Sequence, residues 1–179
     1  FEPPLPKGVP ERLTRIVAAA GIVKGEVLLD VGTGTGVLVP FLQQYRPGRI
    51  YACDLSPKML KQLRRNYSGV ETLLSDVREL TLPEASIDVV FINACYANIA
   101  DKTGAFANLY RMMRPAGRVV ISHPLGKRFI DTLKRAVSFP LDVLPEKSES
   151  NRLLTPHGLE IKSFVDETAL FIIIAVKRS

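Results

Sequence analysis

The residues able to do chemistry recur in one context: an acid or polar side chain at the end of a short apolar run. Asp30 stands in Val27-Leu-Leu-Asp-Val31, and Asp54 closes Arg49-Ile-Tyr-Ala-Cys-Asp54. Ser75-Asp76 follows the run from Val70 to Leu74, Asn93 follows Ile87 to Ile92, and His123 follows Arg118 to Ser122. Directly after Asp30 come Gly32, Gly34 and Gly36, with Thr33 between the first two. Glycines so closely spaced weaken either helix or strand. They suit a backbone that turns sharply and lets a ligand come near. Val37 to about Tyr45 then reads as a helix whose free N–H groups would point back at that ligand.

The spacing bears on which ligand. A dinucleotide-binding turn of the G-x-G-x-x-G type would need its third glycine at position 37, which is Val. A pyrophosphate would also meet Asp30 as a like charge, whereas an ammonium or sulfonium would be attracted to it. The pattern points away from NAD and toward a cationic amino-acid ligand.

The elements that must position these residues follow from periodicity. The apolar runs ending in Asp, Asn or His read as strands buried on both faces. Phe1 to Pro10 reads as an extended arm. Glu11 to Ala20 carries Leu13, Ile16, Val17 and Ala20 at helical spacing and should pack beside the first strand. Ser56-Pro57 is an N-cap and first helical position, with Met59, Leu60 and Leu63 inward. Further helices are expected from Asp101 to about Met113, from Gly126 to about Val137, and from Glu146 to His157 with Gly158 closing it. Leu159 to Val165 and Ala169 to Val176 read as a hairpin. Leu170-Phe-Ile-Ile-Ile174 is apolar on both faces and belongs inside the sheet. Strands alternating with helices make an α/β fold: one doubly wound, mainly parallel, seven-stranded sheet with a terminal antiparallel hairpin. Residues 1–179 read as a single domain. Ligands of such sheets bind at the carboxyl ends of the strands, where Asp30, Asp54, Asp76, Asn93 and His123 collect.

With these motifs in place, the chain from Glu11 to Lys177 resembles the class I S-adenosylmethionine-dependent methyltransferases, whose first motif reads hhD-h-G-x-G-x-G. It is most similar to their small-molecule, type 11-like members. The resemblance implies S-adenosylmethionine as cofactor and S-adenosylhomocysteine as product. It implies that Asp54 accepts from both ribose hydroxyls, a role for an acceptor-only carboxylate. Asp76 would receive the adenine amino group. Leu55, Met59 and Val77 would sandwich the adenine ring. Asn93 and the glycine loop (Gly32, Thr33, Gly34, Gly36) would face the methionine part, with Asp30 toward its ammonium. Arg111-Met-Met-Arg-Pro-Ala-Gly-Arg118 resembles the family's R-x-L-x-P-G-G segment, with Ala116 in place of the first glycine.

The acceptor side says less. Methyl transfer needs alignment first and a base only when the nucleophile must lose a proton. Tyr96 and His123 are the candidate catalytic groups, with Asn98 nearby. The family's small-molecule members often carry a histidine in the stretch that here reads Tyr96-Ala-Asn-Ile-Ala-Asp101, and this chain has none. No Asn-Pro-Pro-Tyr or Asp-Pro-Pro-Tyr follows the fourth strand, which argues against adenine methylation in nucleic acid.

Composition sets the outer limits. Hydrophobic residues make up 46% and charged residues 23%, as in an ordinary globular protein. The net charge of +6 permits nucleic acid without demanding it. Cys53 and Cys95 are expected in strands as buried free thiols of a cytoplasmic protein. No metal pattern, signal peptide or membrane-length run is visible. The chain begins at Phe1, which reads as a trimmed front. The expected function is methyl transfer to a small molecule. The alternatives are an RNA methyltransferase and a cofactor-binding protein without transferase activity.

Overall fold

The computed structural model of the chain describes residues 4–178. Seven strands form one sheet: β1 (Val27–Val31), β2 (Arg49–Asp54), β3 (Glu71–Leu74), β4 (Ile87–Asn93), β5 (Met113–His123), β6 (Leu159–Glu167) and β7 (Leu170–Lys177). Their order is β3-β2-β1-β4-β5-β7-β6. The first five are mutually parallel, and β7 runs antiparallel to both β5 and β6. The strand order reverses between β1 and β4, so the crevice for a ligand opens above their carboxyl ends.

Among the described residues, six α-helices accompany the sheet: α1 (Val9–Ala19), α2 (Val39–Gln43), α3 (Pro57–Asn66), α4 (Lys102–Met112), α5 (Gly126–Ala136) and α6 (Lys147–Leu154). Strand residues alternate between two cores. Leu28, Ile50, Ala52, Val89, Phe91 and Val120 pack with α1, α2 and Leu63 of α3. Leu29, Val31, Val90, Ile92, Val119 and Ile121 pack with Phe106 and Leu109 of α4, Ile130 of α5 and Leu154 of α6. Leu170, Ile172 and Ile174 serve the first core, Phe171 and Ile173 the second. That two-sided demand places β7 inside the sheet, as its unbroken apolar run predicts.

Several boundaries differ from expectation. The extended arm is shorter, because α1 already starts at Val9 with Pro10 in its first turn; residues 1–3 of that arm lie outside the described residues. Helix α1 packs on α2 and β7 rather than beside β1 alone. The helix after the glycines does not start at Val37. Gly36 takes φ 87°, residues 34–38 form turns, and α2 is a five-residue helix from Val39. It presents no N-terminal anion site. Strand β5 begins at Met113, earlier than Arg118, with a register shift opposite Ile87–Val89. Cys95 is in the turn after β4, not in a strand. Among the described residues, no helix is long and apolar enough to cross a membrane.

Candidate active site

The loop after β1 is pinned by hydrogen bonds to the end of β2. The backbone N–H groups of Gly32 and Thr33 both donate to the Cys53 carbonyl, at 2.8 and 3.1 Å. The Asp54 carboxylate accepts from Gly34 N–H and from Ser56 N–H, each at 2.8 Å. Asp54 thereby ties the glycine loop to the start of α3, where Ser56 Oγ caps Met59 N–H. The three glycines divide their work. A Cβ on Gly32 would lie 2.2 Å from Cys95 Sγ, so its missing side chain admits the turn after β4. A Cβ on Gly36 would press on Leu63 and Tyr67. Only at Gly34 would a Cβ meet nothing within 4 Å. This is the glycine left open toward a ligand, in the left-handed conformation (φ 56°) that favours it.

Two cavities flank this loop. The first, about 420 Å³, holds Asp54 and Leu55 after β2, Asp76 and Val77 after β3, and Cys95 and Asn98 after β4. Leu55 is 68% exposed, an apolar side chain standing at the cavity with no protein cover. Asp76 is held by Arg78, whose guanidinium and backbone N–H reach its carboxylate at 2.7 to 3.0 Å and keep it below the usual carboxylate range. The second cavity, about 470 Å³, is lined by Gly32–Thr35 and Met59 on one side. Asn93, Asn98 and His123 contribute polar groups, and α5 with the segment after it forms an apolar wall. The cavities share Gly32, Ala94 and Asn98. Ala94 takes φ 54° there, anchored by its N–H to Ser122 carbonyl at 2.8 Å.

The structure thus brings Asp54, Leu55, Asp76 and Val77 to one cavity, and Thr33, Gly34, Met59, Asn93 and His123 to the other. Met59 belongs with the second cavity rather than beside Leu55 and Val77. Asp30 lines neither. It lies under the loop, 2% exposed, accepting from Thr33 Oγ1 at 2.7 Å, and burial pushes its carboxyl up to about 7. Asn93 Oδ1 accepts from Ser122 Oγ at 3.0 Å.

The two candidate catalytic groups separate. His123 closes β5 and lines the second cavity. Its Nδ1 accepts from Leu125 N–H at 3.1 Å, its ring stacks on Phe129 at 5.4 Å, and burial pushes its pKa down to about 4. It is therefore neutral at pH 7, with the proton on Nε2, a donor rather than a ready base. Tyr96 requires a correction. It lines neither cavity but lies in the core at 4% exposure, with Lys102 Nζ 4.8 Å over its ring and its phenol pushed upward by burial. The apolar wall of Phe129, Ile130, Leu133, Phe139 and Leu141 was not singled out in the sequence as site-forming. The helical spacing of Phe129, Ile130 and Leu133 reads equally as a buried face. Both thiols are pushed up to about 12 by burial, so neither is a nucleophile.

Comparison with known proteins bears on this geometry. A family model described as a methyltransferase domain matches residues 29–121, just over half of the chain. The chain belongs to the class I S-adenosylmethionine-dependent methyltransferases. This methyltransferase domain is 34% identical over 108 residues to a malonyl-[acyl-carrier protein] O-methyltransferase of Serratia marcescens, covering 60% of this chain and 42% of that protein. It is 28% identical over 142 residues to a ubiquinone/menaquinone biosynthesis C-methyltransferase of Enterobacter sp. (strain 638), covering 74% and 56%. The chain therefore spans only about two fifths to just over half of these relatives. A solved methyltransferase in complex with the Haloferax volcanii Trm112 methyltransferase activator shares the fold, with TM-score 0.83 at 16% identity over 94% of this chain and 89% of that one.

Proposed function

We propose that this domain binds S-adenosylmethionine across the two cavities and transfers its methyl group to a small-molecule acceptor in the second. The observation that carries the reading is Asp54. Its carboxylate ends β2 at the edge of the first cavity, already oriented by Gly34 and Ser56 N–H donors. Such a group keeps acceptor capacity for the two hydroxyls of a ribose. Leu55 and Val77 would then hold the adenine ring by apolar contact, with Asp76 near its amino group. The cradle fits the cofactor in a further respect: the open position at Gly34 lets the methionine part approach the backbone.

The cofactor supplies a sulfonium methyl for in-line displacement. The chain's residues supply alignment, with Asn93, Asn98 and the neutral His123 as polar groups that orient ligands, and the apolar wall excludes water. Of the relatives named above, the C-methyltransferase of ubiquinone/menaquinone biosynthesis is, by its name, an enzyme of small-molecule biosynthesis, and it supports the reading. An RNA acceptor draws on the net charge of +6. Yet the basic helices α3 and α5 serve opposite faces of the sheet, and no Lys or Arg lines the second cavity among the described residues. Calorimetric titration with S-adenosylmethionine, S-adenosylhomocysteine and NAD tests the cofactor. Binding of the first two is expected; NAD binding without them would overturn the reading. Retention of RNA with a steep salt dependence would overturn the small-molecule acceptor.

A further inference from the structure

The second cavity supports a statement about the acceptor itself, resting on the methyl-transfer reading above. We propose that the acceptor is an uncharged, largely apolar molecule of aromatic character, and that the cavity discriminates against anionic acceptors because it holds no counter-charge. Among the described residues that line it there is no Lys, Arg, Asp or Glu. The one imidazole, His123, is neutral at pH 7. A carboxylate or phosphate acceptor entering here would lose its hydration without gaining an ionic partner from the chain's lining residues, which is unfavourable. Several neighbouring cations are held by other groups: Arg12 donates to the Pro124 carbonyl at 2.6 Å. Lys127 holds Glu146 and Asp166 at 2.7 and 2.8 Å, and Lys102 pairs with Asp142.

The wall opposite the glycine loop points the same way. Phe129 and Phe139 line the cavity yet stay 41% and 56% exposed. Single exposed apolar residues are ordinary, but two rings on one cavity wall, with Ile130, Leu133 and Leu141 beside them, form a patch that an apolar ligand would cover. Phe129 stacks on His123 with only 27° between the rings, so the wall is flat there. Its position is built in. Asp142 N–H donates to the Ala97 carbonyl at 3.0 Å, which fastens the segment carrying Leu141 to the turn after β4. A Cβ on Gly126 would lie 2.8 Å from the Thr168 carbonyl, so the start of α5 is closely seated on the β6–β7 turn. Asn98, shared by both cavities, puts a polar group at their junction. In the transfer, the acceptor's hydroxyl oxygen or ring carbon bonds to the methyl carbon as the carbon–sulfur bond breaks. The electron pair stays on sulfur, and the acceptor's proton passes to solvent.

The test compares 2-naphthol with 2-naphthoate, similar rings differing in charge, by calorimetry on the full chain saturated with S-adenosylhomocysteine. 2-Naphthol is expected to bind at least about tenfold tighter, reflecting the unpaired buried charge. Phe129→Ala should weaken it by about three- to tenfold. Leu133→Lys should raise affinity for naphthoate and lower it for naphthol. Equal or tighter binding of naphthoate by the unaltered protein would overturn the proposal, as would binding of neither while S-adenosylhomocysteine binds. Failure of S-adenosylhomocysteine to bind is read in the first titration; it would remove the methyl-transfer reading and this one with it.

Discussion

Asp30 and His123 are both buried, and burial moves them in opposite directions. The Asp30 carboxyl, raised to about 7 in the folded protein, keeps its proton where the unfolded chain has released it. Stability from this group therefore falls as pH rises from about 4 to about 7, by up to ~1.4 kcal/mol per pH unit. His123, lowered to about 4, stays neutral where the unfolded chain is protonated. Its contribution falls as pH drops from about 6.5 toward 4. Urea unfolding across pH 4.5 to 7.5 separates them: Asp30→Asn should gain on the unaltered protein as pH rises, and His123→Gln as pH falls. Differences that stay constant with pH would mean neither group is shifted. Asp54 belongs instead to the proposed cofactor contact, as the ribose acceptor. Each hydrogen bond from ribose to its carboxylate is worth ~1.5–3 kcal/mol, so Asp54→Ala should weaken S-adenosylhomocysteine by roughly 10- to 150-fold per bond lost. Unchanged affinity in a folded variant would mean the ribose lies elsewhere.

Elements are coupled through two tight turns. In the first, Gly32 leaves the space that Cys95 fills. Gly32→Ala should cost about 2–4 kcal/mol from collision and backbone strain, and Cys95→Gly should recover part of it in the double variant. Independent effects of the two changes would show that the loop and the post-β4 turn do not press on each other. In the second, Ala116 takes φ 60° within β5, in the irregular stretch between Met113 and Arg118 where the register against β4 shifts. Ala116→Gly should stabilise by about 1 kcal/mol, a rise of roughly 2–4 °C in a domain of this size. The motif resemblance marks the glycine missing at 116, and the backbone gives the reason glycine is suited to that place. Strand identities and their closing polar residues were legible because an apolar run on two covered faces has few other readings. The limits of α2 were not, because Gly36 looks the same whether it opens a helix or delays one. The site was half legible. Acids at strand ends advertise a cofactor, whereas the burial of Tyr96 depends on Lys102 and the 139–144 segment, which no local pattern connects to it.

At the scale of the molecule, cofactor binding and folding should be linked. S-adenosylhomocysteine at about 100 times its dissociation constant should add ~2.7 kcal/mol, or roughly 5–10 °C in a melting scan; an unmoved transition would count against binding to the folded state. The position of β7 has a further consequence. It is made after β6, yet it lies between β5 and β6 and pairs with both. During synthesis, β5 therefore waits with a bare hydrogen-bonding edge for almost fifty residues, and β6 has no neighbour to join. A nascent chain at that stage has the cofactor motifs complete and the sheet open, a form that invites pairing with other chains. Ribosome-bound chains ending before Leu170 should accordingly be protease-sensitive and recruit chaperones, and resistance should arrive abruptly once β7 emerges.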